Sequence, residues 1–167
     1  AYNERSASCR AAVEALQSAD PGIRALRDVT IGFLEANREL LDETTYRRAC
    51  HVVEENARPQ AMADALSMGD LAKAGSLMDD SHVSLRDLDE VSSFELDLFT
   101  ELAREHTACY GARLTGAGFG GCAIALVSVD GVQDFMEVTH SRYRSTVDLP
   151  SSVFACRPAP GAQLLDL

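Results

Sequence analysis

From Asn3 to about His106, apolar positions recur every three or four residues, the spacing that gives a helix one buried face. Cys9, Ala12, Val13 and Leu16 place a helix over 3–17, which Asp20-Pro21-Gly22 ends with turn chemistry. Thr30 is positioned to cap a short helix carrying Phe33, Leu34, Leu40 and Leu41. Asp42 starts a longer one, in which Tyr46, Cys50, Val53, Ala57, Ala61, Ala65 and Met68 share a face. Pro59 removes a backbone donor inside it and is expected to kink it. Gly69-Asp70 reads as a stop followed by a start, and Leu71, Ala74, Met78, His82 and Leu85 line the next helix. After a charged connection over 86–91, Ser92-x-x-Glu95 reads as a capping box for a helix reaching about His106, with Val91 and Leu96 as its hydrophobic staple.

The period then changes. Residues 108–115 and 122–129 are short apolar runs bounded by glycine and read as strands, the second apolar almost without a break, as for a strand covered on both faces. Asp130 is expected to cap a helix with Val132, Phe135, Met136, Thr139 and Tyr143 on one side. Residues 151–156 read as a last strand before a tail containing proline and glycine. A helix-rich first half followed by a strand–Gly loop–strand–helix–strand unit predicts an α+β fold, as one domain over 1–167.

Composition narrows the function classes. The formal charge is −11, from 15 basic and 26 acidic residues, and the arginines are scattered, which argues against a nucleic-acid partner. Five cysteines, an odd number without a CxxC and mostly inside apolar runs, read as reduced, buried thiols of a cytoplasmic protein. No signal peptide or membrane-length apolar run is evident, so no membrane partner is expected. The chain opens at Ala1 without an initiator Met, which suggests a trimmed chain or part of a longer protein.

The candidate chemistry lies at 111–121, where five of the eleven glycines fall. Gly116-Ala117-Gly118-Phe119-Gly120-Gly121 satisfies GxGxxG, with Glu137 downstream, but a dinucleotide site needs a helix after the glycines and here a strand follows. A Walker loop needs Gly-Lys-Ser/Thr, and the single lysine is Lys73. Two readings stand: a loop presenting backbone N–H groups to an anion, or a tight β–loop–β turn without a ligand. His82 lies on an apolar helical face and reads as a core histidine rather than a metal or acid–base partner of Asp87. His51 and Glu55 read as a helix-surface i, i+4 pair, and Arg113 reads either as a phosphate contact or as the partner of a carboxylate.

Longer stretches carry a resemblance. Tyr110–Cys122 (Tyr-Gly-Ala-Arg-Leu-Thr-Gly-Ala-Gly-Phe-Gly-Gly-Cys) resembles the third signature motif of the galactokinases, in the GHMP small-molecule kinase superfamily. Tyr2-Asn3-Glu4-Arg5 with Cys9, Arg47-Arg48-Ala49-Cys50-His51-Val52-Val53-Glu54-Glu55-Asn56, Ser81-His82 to Asp87, Glu90-Val91-Ser92 to Asp97, and Cys156-Arg157-Pro158 with Gly161-Ala162 resemble further stretches of that family, in order. Two earlier signatures, one engaging galactose and one holding ATP phosphates and Mg²⁺, have no counterpart here, nor does the family's catalytic aspartate.

The resemblance implies the C-terminal half of an enzyme that transfers the γ-phosphoryl group of ATP to the anomeric hydroxyl of α-D-galactose, with Mg²⁺. Tyr2 would contact the sugar, and Gly116, Ala117, Gly118, Phe119, Gly120 and Gly121 would wall the cleft, supporting the phosphate loop of an N-terminal half or donating to phosphate directly. No catalytic or metal-binding residue is expected in this chain. The chain alone is expected to be inactive, to bind neither ATP nor Mg²⁺ tightly, and to self-associate through the surface that meets the N-terminal half. A non-catalytic sugar sensor with transcriptional partners, or a kinase for N-acetylgalactosamine or arabinose, is the alternative.

Overall fold

The computed structural model describes residues 2–159 and 161, Tyr2 by its backbone alone. Six helices and one hairpin form in the order α1 (Tyr2–Leu16), α2 (Ile31–Ala36), α3 (Glu43–Ser67), α4 (Leu71–Asp87), α5 (Phe94–Arg104), β1 (Cys109–Thr115), β2 (Cys122–Val127) and α6 (Val132–Thr146), with single 3-10 turns at Leu26–Asp28, Arg38–Leu40 and Val129–Gly131. The result is α+β, mostly helical, with a two-stranded antiparallel sheet.

Helix ends follow local chemistry. Thr30 Oγ1 accepts the Phe33 amide, Asp42 Oδ1 accepts those of Thr44 and Thr45, and Asp70 Oδ1 accepts that of Lys73. At the end of α3, Gly69 turns left-handed at φ 70°; its amide donates to Leu66 O, and that of Asp70 to Ala65 O. This is the paired-bond C-cap that a glycine at C′ permits. The helix runs through Pro59 without interruption. Leu40 and Leu41 fall outside α2, because the chain breaks at Asn37 into a 3-10 turn.

Two caps differ from expectation. Ser93, not Ser92, caps α5 by accepting the Leu96 amide at 3.4 Å, while Ser92 donates to Asp97 Oδ1 at 2.5 Å. Asp130 sits within a 3-10 turn, and Gly131 takes the N-cap of α6 without a side-chain bond.

Three apolar clusters hold these elements. Ala12 and Leu16 of α1 meet Leu34 and the Ala49, Cys50 and Val53 face of α3. Ala65, Ala74 and Leu77 join α3 to α4 and receive Leu126 of β2. Ala103, Ala112 and Phe135 pack α5, β1 and α6 together.

The hairpin pairs Ala112 with Ala125 and Thr115 with Cys122, after a bulge between Cys109 and Gly111. One face of β2, Ala125 and Val127, rests on the cluster around Phe135. The other face is only partly covered: Leu126 is packed, but Ile124 is 43% exposed and Cys122 is exposed. The strand therefore is not covered on both faces. Its continuous apolar run reflects one packed face plus one face that α4 covers at the Leu126 end only.

The outer edge of β1 is closed by side chains. Asp79 Oδ1 accepts the Ala112 amide at 2.8 Å, Arg104 Nη2 donates to Ala112 O at 2.8 Å, and His82 Nδ1 accepts the Leu114 amide at 3.2 Å. Arg104 Nε also donates to Asp79 Oδ1 at 2.6 Å. Exposed ladder groups invite pairing with another chain, and here α4 and α5 occupy them.

The strand expected over 151–156 does not form. A strand needs a neighbour to complete its ladder. Among the described residues this segment pairs with neither strand and is held by His140 Nε2, 3.1 Å from both Ser151 O and Ser151 Oγ.

Candidate functional site

The six residues joining β1 to β2 form a loop on an unusual backbone. Gly116, Gly118, Phe119, Gly120 and Gly121 have φ of 87°, 76°, 60°, 118° and 97°. Gly118 is demanded by contact: a Cβ there would lie 2.2 Å from Val91 O and 2.8 Å from the Val91 Cβ. The next amide, Phe119 N–H, donates to the same Val91 carbonyl at 2.6 Å. The loop is thus pinned at its middle to the α4–α5 connection. No atom lies within 4 Å of a Cβ built on Gly116, Gly120 or Gly121, so its flanks face open space. Among the described residues, the amides of Gly116, Gly118, Gly120 and Gly121 have no acceptor in loops, turns or side chains, and such donors in a left-handed run suit an anion.

The connection that supplies Val91 is itself clamped. Glu90 sits at φ 57°, and its carboxylate meets Arg47 at 3.0 Å and Arg48 at 3.6 Å. The Arg47 hydrogen bond is the main reason its carboxyl titrates below the usual range. Arg5 donates through Nε to Asp89 O at 2.9 Å and through Nη2 to Glu90 O at 2.7 Å. The same guanidinium lies 5.4 Å from the centroid of the Phe119 ring. The first turns of α1 therefore lie against the glycine loop.

Tyr2 belongs to that helix by its backbone, but its side chain lies outside the described residues, as does Ala162. Ala117 is exposed in the loop. His82 is fully buried and satisfied: Nδ1 takes the Leu114 amide, while Nε2 lies 3.0 Å from Thr100 Oγ1 and 3.1 Å from Asp97 Oδ1. It is a core histidine. Asp87 pairs with its neighbour Arg86 instead.

His51 corrects the surface-pair expectation. It is buried, its Nδ1 is 2.9 Å from Ser84 Oγ, and Glu55 turns to Arg58 and Ser81. Arg113 donates to Ser81 Oγ at 3.1 Å, and Ser81 donates to Glu55 at 2.9 Å, so Arg113 reaches a carboxylate through a hydroxyl. Among the described residues no group of three His, Cys, Asp or Glu side chains converges as metal ligands. The Glu90 carboxylate beside the loop is engaged by arginine. The loop's amide donors fit a phosphate group, and the carboxylate beside them does not fit a magnesium ion.

Sequence reasoning missed Arg5 and Glu90 as loop supports, because they lie far from Phe119 along the chain. A local signal existed for Gly75, a glycine inside an amphipathic helix.

Known proteins resemble this chain over most of its length. Residues 62–138 match the family model described as GHMP kinases C terminal. A galactokinase from Roseiflexus sp. is 45% identical over 96% of this chain and 41% of its own length, and one from Lactococcus lactis subsp. cremoris is 40% identical over 99% and 42%. A crystal structure of Lactococcus lactis galactokinase complexed with galactose superposes with a TM-score of 0.83 at 42% identity, covering 89% of this chain and 38% of that one. The chain spans about two fifths of the length of these relatives. Over nearly its whole length the chain is homologous to the C-terminal portion of the galactokinases, which are GHMP kinases.

Proposed function

We propose that the whole protein transfers the γ-phosphoryl group of ATP to the anomeric hydroxyl of α-D-galactose, giving galactose 1-phosphate and ADP, with Mg²⁺ assisting. The observation that carries this reading is the match to the galactose-complexed Lactococcus enzyme over 89% of the chain. Phosphoryl transfer is chiefly positioning and neutralisation of charge spread over oxygens. Fixed amide dipoles suit that task because they need not reorient as charge develops.

In this reading the glycine loop, Gly116 to Gly121, forms one wall of the nucleotide cleft. Its pinned centre holds shape, while the amides around it back the phosphate-holding loop of an N-terminal half or donate to phosphate themselves. Tyr2 contacts the sugar. The half-open face of β2, with Ile124 and Cys122, meets the N-terminal half of the same protein, and copies of the isolated chain associate through it. The five cysteines are free thiols, which suits the cytoplasm, but contrary to the expectation of burial only Cys50 is buried, and Cys122 and Cys156 are exposed. No helix among the described residues is long and apolar enough to cross a membrane.

The test is a coupled ADP-release assay on the full-length protein with MgATP and galactose, N-acetylgalactosamine or arabinose. Galactose should give the highest kcat/KM. Preference for another sugar would reassign the substrate, and galactose binding without turnover would identify a sensor. The isolated chain should show no micromolar heat of binding for MgATP or galactose.

A further inference from the structure

The loop that carries the proposed activity is held by residues of unrelated stretches, and one of them does three things at once. Arg5 reaches two consecutive carbonyls, Asp89 O and Glu90 O, with two different nitrogens. Its guanidinium lies within cation–π range of Phe119, at 5.4 Å. Its side chain is only 16% exposed, although Phe119 and the hydrogen bond to Glu90 O remain open to water. A planar fork with an apolar face can hold two acceptors and cover an aromatic ring, and a lysine ammonium cannot.

The contacts converge on one strained place. Phe119 at φ 60° and Glu90 at φ 57° both adopt a backbone region that costs a residue with a Cβ about 1–2 kcal/mol. Such strain persists only where surroundings over-determine it. Here one strained residue, Glu90, precedes Val91 in the chain and the other, Phe119, donates its amide to the Val91 carbonyl, which lies where Gly118 has no side chain. Arg5 touches the backbone of one and the ring of the other. Arg47 and Arg48 fix the Glu90 carboxylate, and Arg48 also binds Ser8 of α1.

We propose that Arg5 is a positioning residue for phosphoryl transfer, setting the glycine loop through the Asp89–Val91 turn and the Phe119 ring. It touches neither substrate in this assignment; it acts through the loop, and so rests on the reading that the loop walls the nucleotide cleft. The helix turn that carries it also carries Tyr2, so the sugar side and the phosphate side of the proposed cleft are tied to one rigid element.

Two readouts on the full-length protein test this. Hydrogen exchange at the Phe119 amide does not depend on activity: Arg5→Met should speed it about tenfold or more by loosening the Val91 bond. In kinetics normalised to folded protein, Arg5→Met should lower kcat/KM for MgATP about tenfold to a hundredfold, the scale on which small misplacements act. Phe119→Leu should act in the same direction, and the double variant should be little worse than the poorer single one, since both remove the same support. Arg5→Lys should not restore activity.

Unchanged exchange at Phe119 would overturn the proposal, as would a loss of activity that only follows loss of folded protein. Full rescue by Arg5→Lys, or multiplicative effects in the double variant, would also overturn it. Gly120→Ala run in parallel separates the two levels. If it leaves MgATP kinetics unchanged, the cleft reading fails; if it lowers them while Arg5→Met does not, the positioning role alone fails.

Discussion

Gly75 of α4 and Gly111 of β1 cross with their backbones in contact. A Cβ on Gly75 would fall 1.8 Å from Tyr110 O, and one on Gly111 would fall 2.1 Å from Gly75 O. Both obstacles are backbone, which cannot swing aside as a long side chain can. Gly75→Ala should therefore cost about 3 kcal/mol or more, at the upper end of overpacking effects, and lower the thermal midpoint of the full-length protein clearly. Gly32, in α2, has nothing within 4 Å of its Cβ position, and Gly32→Ala should stabilise by about 0.5–1 kcal/mol. Opposite signs for one chemical change would establish the crossing as the cause.

Asp79→Ala removes the acceptor of the Ala112 amide and the partner of Arg104 together. The pair is part-buried, so the cost should be about 2–3 kcal/mol, below that of breaking a fully buried pair. Exchange at the Ala112 amide should speed up, and light scattering on warming should rise earlier, because a strand edge is uncovered.

His82 should make the fold acid-sensitive. The Leu114 amide donates to Nδ1, so the proton sits on Nε2, toward Asp97 and Thr100, and the ring is neutral. Burial, then the Arg104 charge, lower its pKa from 6.5; Asp97 opposes this and Arg86 adds to it. The unfolded chain therefore takes up a proton near pH 6.5 that the folded chain resists. Stability from this group is complete above that pH and falls as pH drops toward the lower folded value. His51, lowered chiefly by burial, acts in the same direction. The slope should not exceed about 1.4 kcal/mol per pH unit for each histidine. Denaturation between pH 7.5 and about 5 should show a shallower decline for His82→Gln than for the parent.

Gly120→Ala is the cleaner probe of the loop. Gly118→Val drives its side chain into Val91 and disturbs folding as well as function. A methyl on Gly120 meets nothing, and only the strained φ of 118° resists it. Activity with MgATP should fall about tenfold or more, while the thermal midpoint moves by only a few degrees, about the effect of 1–2 kcal/mol.

Tyr2→Phe in the full-length protein should raise the KM for galactose and leave that for MgATP unchanged. An unaltered galactose KM would show that the phenol oxygen is not a sugar ligand.

Much of this architecture was legible because its causes are local. Thr30, Asp42 and Asp70 cap the helices they precede, and the Gly69-Asp70 pair closes one helix as the next begins. The hairpin followed from two apolar runs around glycines. What escaped depends on partners far away in sequence. Arg5 and Phe119 meet through tertiary packing, and no periodicity encodes it. The α5 cap lies on Ser93, whose Oγ accepts the Leu96 amide, while the Ser92 hydroxyl donates to Asp97, a detail that the Ser-Ser pair does not reveal. Residues 151–156 carry strand-forming side chains but lack a neighbour to pair with, and propensity alone does not make a ladder. The resemblance named the loop residues, while the way Val91 holds them is a matter of tertiary packing that no local pattern carries.

The closure of the β1 edge gives the hairpin a direction. Asp79, His82 and Arg104 occupy the outward groups of Ala112 and Leu114, whereas among the described residues no backbone group bonds the far side of β2. Any further strand can extend this sheet from one side only, next to β2.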